Sequence, residues 1–334
     1  MSVTEVSHLI QAEDIHFDIH REGTKKSFRY VYFDGRQVDS EFIEEIESLV
    51  IPPNWKEVRI ASNPNTHIRA YGFDDKERKQ YIYHEDWRNY RDRLKFEKLA
   101  SFAEHLPKIR RKAHRDLAKQ EWNRNKTLGL IILTLDQTHV RIGNRRYLKR
   151  NSTVGATTLR RKHLDIDDED VVFSYKAKSN KYRKVRMDNS MLSKLIVKCA
   201  ELPGREIFTY KSRDGYKSIK SSEVNDYLKE ITGEEFSAKN FRTWAGSYLA
   251  IEYLPIALEI VSKNRRKKVS TTLVRHVAKE LGNTVAVCRS HYIHPKIMNA
   301  IEDEEYDSLL FRNHRGGKYA LSAAEKKALK VITS

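Results

Sequence analysis

The residues best suited to chemistry lie in Leu281-Gly282-Asn283-Thr284-Val285-Ala286-Val287-Cys288-Arg289-Ser290-His291-Tyr292, where a tyrosine follows a Leu-Gly-Asn turn at short, fixed spacing. A phenol, with a reference pKa of about 10, is a poor nucleophile near neutrality. Tyr292 therefore needs cations that stabilise its anion and the charge of a phosphoryl transition state. By residue type alone it is one of 17 tyrosines, a class that more often supplies amphipathic core side chains. Three further segments offer cations: Arg141-Ile142-Gly143-Asn144-Arg145-Arg146-Tyr147-Leu148-Lys149-Arg150-Asn151-Ser152-Thr153-Val154-Gly155, Phe173-Ser174-Tyr175-Lys176, and Lys239-Asn240-Phe241-Arg242-Thr243-Trp244.

The whole composition leans the same way. With 63 Lys+Arg against 46 Asp+Glu, the 334-residue chain has a formal net charge of +17, which predicts a polyanionic partner. Nucleic acid fits better than a membrane, because no apolar run approaches the roughly 18 residues of a spanning helix and no long, sharply amphipathic basic helix with an aromatic face is evident. Met1-Ser2-Val3-Thr4-Glu5-Val6 lacks the basic and apolar regions of a signal peptide, so the expected location is the cytoplasm, at the nucleoid in a bacterium. Cys199 and Cys288 form neither a disulfide framework nor a zinc pattern.

Basic clusters at Lys108, Arg110, Arg111, Lys112, His114, Arg115 and Lys119, and at Arg265-Arg266-Lys267-Lys268, read as phosphate contacts or as solvated helix faces. The acidic run Asp165-Ile166-Asp167-Asp168-Glu169-Asp170 lacks the glycine and spacing of a calcium loop and reads as a solvated turn. No phosphate-cradling Gly-x-x-x-x-Gly-Lys-Ser/Thr occurs. The sequence implies neither a cofactor nor a metal.

To position these groups the chain is expected to build two domains, 1–88 and 89–334, in an α+β class: a small N-terminal antiparallel sheet and a larger, mostly helical catalytic domain. Short alternating runs at Phe28–Phe33, Glu57–Ala61, His67–Gly72 and Lys79–Tyr83 predict the sheet. From Trp87 the spacing of Leu94, Leu99, Phe102 and Leu106 is helical, with Pro107 as a stop. Strands are predicted at His139–Asn144, which places Arg141 near a strand end, and at Val171–Lys176. Ser179-Asn180 would turn the latter back into Lys181–Val185.

Taken in order, these segments resemble the catalytic domain of type IB DNA topoisomerases, most closely the poxvirus-like and bacterial branch. Arg78-Lys79-Gln80-Tyr81-Ile82-Tyr83-His84 resembles the family strand that contacts DNA in the major groove. Tyr147-Leu148-Lys149 with Asn151, Thr153-Val154-Gly155 and Thr158-Leu159 is similar to a second family run. The resemblance implies that Tyr292 attacks a backbone phosphodiester to form a 3′-phosphotyrosyl bond, that Arg141 and Arg242 clamp the transition state, and that Lys176 protonates the departing 5′-oxygen. Lys178 and Lys181 share the hairpin of Lys176, and Ser174-Tyr175 stands where the family commonly has a glycine before the lysine. Gln80, Tyr81, Tyr83, Tyr147 and Lys239 are the implied DNA contacts.

At Asn283, poxvirus and eukaryotic members carry histidine, whereas bacterial-type members carry asparagine. An amide donates a neutral hydrogen bond but neither charge nor a proton. Tyrosine recombinases favour His-x-x-Arg and Leu-Gly-His where this chain has Lys239-x-x-Arg242 and Leu281-Gly282-Asn283, which leaves a recombinase as the alternative; a non-catalytic DNA-binding relic is a third reading. The resemblance implies a monomeric, C-shaped clamp on double-stranded DNA that relaxes supercoils without ATP or metal.

Overall fold

The computed structural model describes residues 6–24, 27–168, 170–178, 181–312 and 316–334. Met1–Glu5, Glu169 of the acidic run and the Ser179-Asn180 turn lie outside the described residues. The chain divides into two compact units, Met1–Lys95 and Phe96–Ser334.

The first unit is an antiparallel sheet built from β1 (Ile19–Thr24), β2 (Ser27–Tyr32), β3 (Lys56–Ile60), β4 (Ile68–Phe73) and β5 (Lys79–Tyr83), in the order β2-β1-β3-β4-β5. Helix α1 (Ser40–Ser48) lies between β2 and β3 in the chain, its first turn capped by the Asp39 carboxylate, which accepts the Phe42 N–H at 2.8 Å. Strand alternation sends Ile19, Ile60 and Ala70 to full burial with Ile46 of α1, so one sheet face is a core and the other is left polar and aromatic.

Helix α2 runs from Glu85 to Leu117 with Pro107 inside it, which corrects the expected stop. A mid-helix proline costs about 3 kcal/mol. Here Leu99, Phe102, Ala103 and Leu106 before it, and Ile109 and Ala113 after it, are all fully buried; burying several large apolar side chains at roughly 1.5–3 kcal/mol each outweighs that cost.

The second unit continues with α3 (Arg124–Thr138), α4 (Arg145–Asn151), the sheet β6 (Leu164–Asp167), β7 (Asp170–Lys176) and β8 (Tyr182–Met187), α5 (Ser190–Ala200), and the hairpin β9 (Thr209–Ser212) and β10 (Gly215–Ser218). It closes with α6 (Ser221–Thr232), α7 (Ala238–Glu252), α8 (Leu254–Lys263), α9 (Val269–Leu281), α10 (Val285–His291), α11 (Pro295–Glu302) and α12 (Ala323–Thr333). Helix α3 is buried on every side from Lys126 to Leu135, the pattern of a central core helix.

Two further expectations are corrected. Residues 139–144 form no strand; their carbonyls are taken by a tight turn instead, Arg141 O accepting Ala156 N–H and Ile142 O accepting Thr157 N–H, both at 2.8 Å. Within the basic cluster of α2, Arg110 points inward, bonding Asp136 at 2.7 Å and Glu325 at 2.7 Å. Lys112 and Lys119 pair with the buried Asp116. Arg110 is thus a largely buried structural cation, whereas Lys112 and Lys119 reach the buried Asp116 carboxylate from partly exposed positions. The acidic run contributes Asp167 to β6 and Asp170 to β7, and both carboxylates bond Arg186, at 2.7 and 3.0 Å.

Candidate active site

The spacing from Asn283 to Tyr292 is made by one helix stop and one helix start. Gly282 adopts the left-handed conformation at φ 58° that ends α9, a geometry glycine takes without a Cβ penalty, and Asn283 N–H returns to Ala278 O at 2.9 Å. Thr284 then caps α10, its hydroxyl accepting Val287 N–H at 3.3 Å. Tyr292 terminates α10, with its N–H on Cys288 O at 3.0 Å. Its backbone is pressed against Gly246 of α7, where any Cβ would overlap Tyr292 O and sit 2.8 Å from Tyr292 Cβ.

Helix α7 begins with a capping box in which Asn240 Oδ1 accepts Ser237 N–H at 2.9 Å. Lys239, Arg242 and Gly246 follow at helical spacing along one side. Arg242 is only 3% exposed; its guanidinium donates to His139 O, to Leu281 O at 2.7 Å and to Asn283 Oδ1 at 3.5 Å. Arg141 donates to the same Asn283 Oδ1. Because guanidinium nitrogens only donate, the amide oxygen must face the two arginines. Asn283 Nδ2 is left buried and without a partner among the described residues, as is Arg242 Nε.

The Tyr292 ring lies 5.4 Å from Arg242 Cζ. Burial raises the phenol's pKa, but the charges of Arg242 and Arg141, a hydrogen bond from Arg242 and the charge of Lys239 outweigh it, and the group ends below its ordinary value. Burial, then the charge of Arg141, brings Arg242 down to about 10, so it remains a cation at neutral pH. Among the described residues no carboxylate pairs with Arg141 or Arg242. Two guanidiniums on one neutral oxygen, with free N–H groups beside them, make a site for an anion. Burial pushes the Cys288 thiol up to about 12, which leaves Tyr292 without a thiolate competitor.

Among the described residues, no hydrogen bond joins Lys176 or Tyr147 to this cluster. Lys176 ends β7 with an exposed side chain, its carbonyl accepting Val154 N–H at 2.9 Å. Tyr147 is 60% exposed on α4. In the sheet unit, Tyr81 and Tyr83 share one face of β5 with ring centroids 6.0 Å apart, while the amide of Gln80 is held by Asp74 at 3.0 Å. The hydrogen bond from Arg78 also holds Asp74 at a pKa of about 2. Arg289 bonds Glu302, tying α10 to α11. His8, His84 and Asp86 are the metal-capable trio among the described residues. They already satisfy one another: His84 Nδ1 accepts Asp86 N–H at 3.1 Å and His8 bonds the Asp86 carboxylate at 2.8 Å.

Two further residues beside the site carry no local signal in the sequence. Arg183 was one basic residue among several on a returning strand, and nothing in its neighbours marks it. His139 lies in a segment of strand-forming residues, yet it caps α3 at φ 52°, gives its carbonyl to Arg242, and holds Tyr248 OH at 3.1 Å. Burial, then the charges of Arg242 and Arg183, lowers its pKa to about 4. A folded-state value below the unfolded 6.5 means the unfolded chain binds more protons between those limits, so stability is lost as pH falls through this window. Between pH 7 and 5 the wild type is expected to lose about 2 kcal/mol more than His139→Asn, measured by denaturant unfolding at both pH values; asparagine tolerates the left-handed backbone.

Comparison with known proteins accords with this architecture. Residues 84–309 match the family described as eukaryotic DNA topoisomerase I, catalytic core, and residues 27–74 match the bacterial DNA topoisomerase IB N-terminal domain. The chain is 32% identical over 284 residues to DNA topoisomerase 1B of Acanthamoeba polyphaga mimivirus, spanning 82% of this chain and 84% of that one. It is 23% identical over 247 residues to DNA topoisomerase 1B of Vaccinia virus (strain Copenhagen), spanning 72% and 74%. A post-cleavage complex of the XerH site-specific recombinase aligns at TM-score 0.38 and 14% identity, over 60% of this chain and 50% of the recombinase chain.

An antiparallel-sheet unit followed by a mainly helical unit is an α+β fold of the topoisomerase IB type. Within that class, the chain belongs to the type IB DNA topoisomerase family. It is a DNA topoisomerase, and DNA is its partner. No helix among the described residues is long and apolar enough to cross a membrane.

Proposed function

We propose that Tyr292 is the nucleophile and that Arg141, Arg242 and Asn283 form the transition-state clamp of this topoisomerase. The observation that carries the reading is the Tyr292 phenol beside Arg242, which shares Asn283 Oδ1 with Arg141, neither guanidinium being neutralised by a carboxylate among the described residues. The Tyr292 oxygen attacks a backbone phosphorus, and the bond to the 5′-oxygen breaks. Lys176 gives its proton to that leaving oxygen, and the phenol's own proton passes to solvent. A 3′-phosphotyrosyl bond replaces the phosphodiester, so the energy for religation is retained and ATP has no step to drive.

In the clamp, the Arg242 and Arg141 forks take the non-bridging oxygens. Asn283 would hold both guanidiniums through Oδ1 while donating Nδ2–H to the phosphoryl group. The free 5′ strand then rotates about the intact strand before the reverse reaction reseals the nick, which relaxes supercoils of either sign. Lys239 adds charge beside the nucleophile. Tyr147 on the catalytic unit, and Gln80, Tyr81 and Tyr83 on β5, are the proposed duplex contacts, with Gln80 pre-oriented by Asp74. The enzyme acts as a monomer in the compartment that holds the chromosome.

The test is relaxation of supercoiled plasmid in EDTA without ATP, with SDS quenching to trap protein on DNA. Complete relaxation at a rate linear in protein concentration, with a covalent adduct on the 3′ side of the break, is the expected result. An adduct without relaxation would instead favour recombinase chemistry.

A further inference from the structure

Arg183 has no part in the mechanism above, yet its guanidinium lies beside the clamp. It sits on β8 opposite Tyr175 of β7, one residue from Lys176 along the strand. From there it leaves the sheet and donates to Leu281 O at 3.1 Å and Glu280 O at 2.6 Å, the last carbonyls of α9. Carbonyls at a helix C-terminus lack partners within the helix and carry its negative dipole end, so a guanidinium is well matched to them. Leu281 O is shared, since it also accepts from Arg242 at 2.7 Å. Gly282 makes room for the contact: a Cβ there would stand 2.7 Å from Arg183 Nε and 2.8 Å from its Cδ and Cζ.

One side chain thus joins three parts of the site: the hairpin bearing Lys176, the turn bearing Asn283, and the carbonyl that orients Arg242. Among the described residues Arg183 has no carboxylate partner, so its fixed contacts are these two carbonyls. β8 is an edge strand of a three-stranded sheet, and Lys176 lies at the turn end of the hairpin, paired with Tyr182. Val154 N–H ties the Lys176 backbone to its own unit, and Arg183 ties this end of the hairpin to the turn that bears Asn283. Proton donation requires heavy atoms within about 2.6–3.2 Å, and a misplacement of about 1 Å can cost about 10²-fold.

We propose that Arg183 is a positioning residue that latches the Lys176 hairpin to the Leu281–Asn283 turn, fixing the proton donor relative to the phosphate clamp. This rests on the reading of Lys176 as general acid, and the experiment separates the two ideas. Single-turnover cleavage is measured on two duplexes, one with the natural 5′-oxygen at the scissile bond and one with a bridging 5′-sulfur. A thiol, with a pKa of about 8.5, leaves as its anion without a proton, whereas an alkoxide does not.

Arg183→Ala is expected to slow the oxygen substrate about 10²-fold and to leave the sulfur substrate within a few-fold of wild type. Arg183→Gln, which keeps the stem and one donor, should fall between. The double variant Arg183→Ala with Lys176→Ala should be no slower on the oxygen substrate than Lys176→Ala alone, because a misplaced donor and an absent one are equivalent. Equal slowing of both substrates by Arg183→Ala, or undiminished cleavage of the oxygen substrate, overturns the latch. Lys176→Ala serves as the reference. If sulfur rescues Lys176→Ala but not Arg183→Ala, the latch falls and the general acid stands; if sulfur does not rescue Lys176→Ala, the general-acid reading itself falls, and the latch with it.

Discussion

Tyr292→Phe is expected to eliminate both plasmid relaxation and the SDS-trapped adduct while leaving DNA binding intact. The change removes one oxygen and keeps the ring, its seat beside Gly246 and its contact with Arg242, so folding stability should move by no more than about 1 kcal/mol. The catalytic loss should be about 10⁵-fold or more, the scale seen when a covalent nucleophile is removed. The Cys288 thiol on the same helix does not substitute, since burial pushes it up to about 12 and it stays protonated at neutral pH. The wild-type single-turnover rate should rise with pH and level off below the ordinary phenol value of about 10, because the charges of Arg242 and Arg141 overcome burial at Tyr292. Residual adduct in the phenylalanine variant, mapped to another side chain, would assign the nucleophile elsewhere.

The second large effect belongs to Arg242. Arg242→Ala is expected to lower the cleavage rate by about 10³- to 10⁵-fold, the range for an arginine that meets a phosphoryl transition state. Arg242→Lys should recover little, since an ammonium lacks the planar fork that spans Leu281 O, His139 O and a phosphate oxygen. Asn283→Ala should cost only about 1–2 kcal/mol, or about tenfold, because what it loses toward phosphate is one neutral hydrogen bond. Single-turnover cleavage of a suicide duplex gives all three numbers. If Asn283→Ala proved slower than Arg242→Ala, the division of labour argued here would be inverted, with the amide rather than the guanidinium carrying the transition-state charge.

The Asn283 geometry gives a physical account of asparagine at this place. Its oxygen is a double acceptor for two like charges that would otherwise repel, and its amide nitrogen is buried without a partner among the described residues. A protonated imidazole could not accept from either arginine. In the proposed mechanism the amide holds the clamp together before DNA arrives, and the incoming phosphate supplies the counter-charge.

Much of the site was legible from local signals. Gly282 and Thr284 are a helix stop and a helix start, and the helix they delimit sets the distance from Asn283 to Tyr292. Lys239, Arg242 and Gly246 lie at helical spacing, so one helix had to present all three on one side. The sheet strands were readable because alternation and turn residues act within a few positions. Where the reading failed, a long-range interaction had overridden a local one. Pro107 ought to stop a helix, yet the buried stripe on both sides of it holds α2 continuous. His139–Asn144 has strand-forming residues, but its hydrogen-bond partners come from the turn at residues 155–157. Arg110 belongs to a basic run by sequence and to a buried ion-pair network by position.

By itself, then, the sequence determined the fold class, the basic character and the family, because composition, periodicity and the order of short motifs are properties of the chain. Only the tertiary structure decided which cations meet the phenol. Arg141 reaches Asn283 from a segment distant in the chain, and Arg183 crosses from the hairpin to the end of α9, contacts that no spacing rule encodes. Burial did the rest. The same arginine that would be a hydrated surface charge in an open helix becomes, at 3% exposure and beside an unpaired amide, a desolvated donor with an unfilled hydrogen-bonding position, and desolvation in a folded core is what gives such a charge its force.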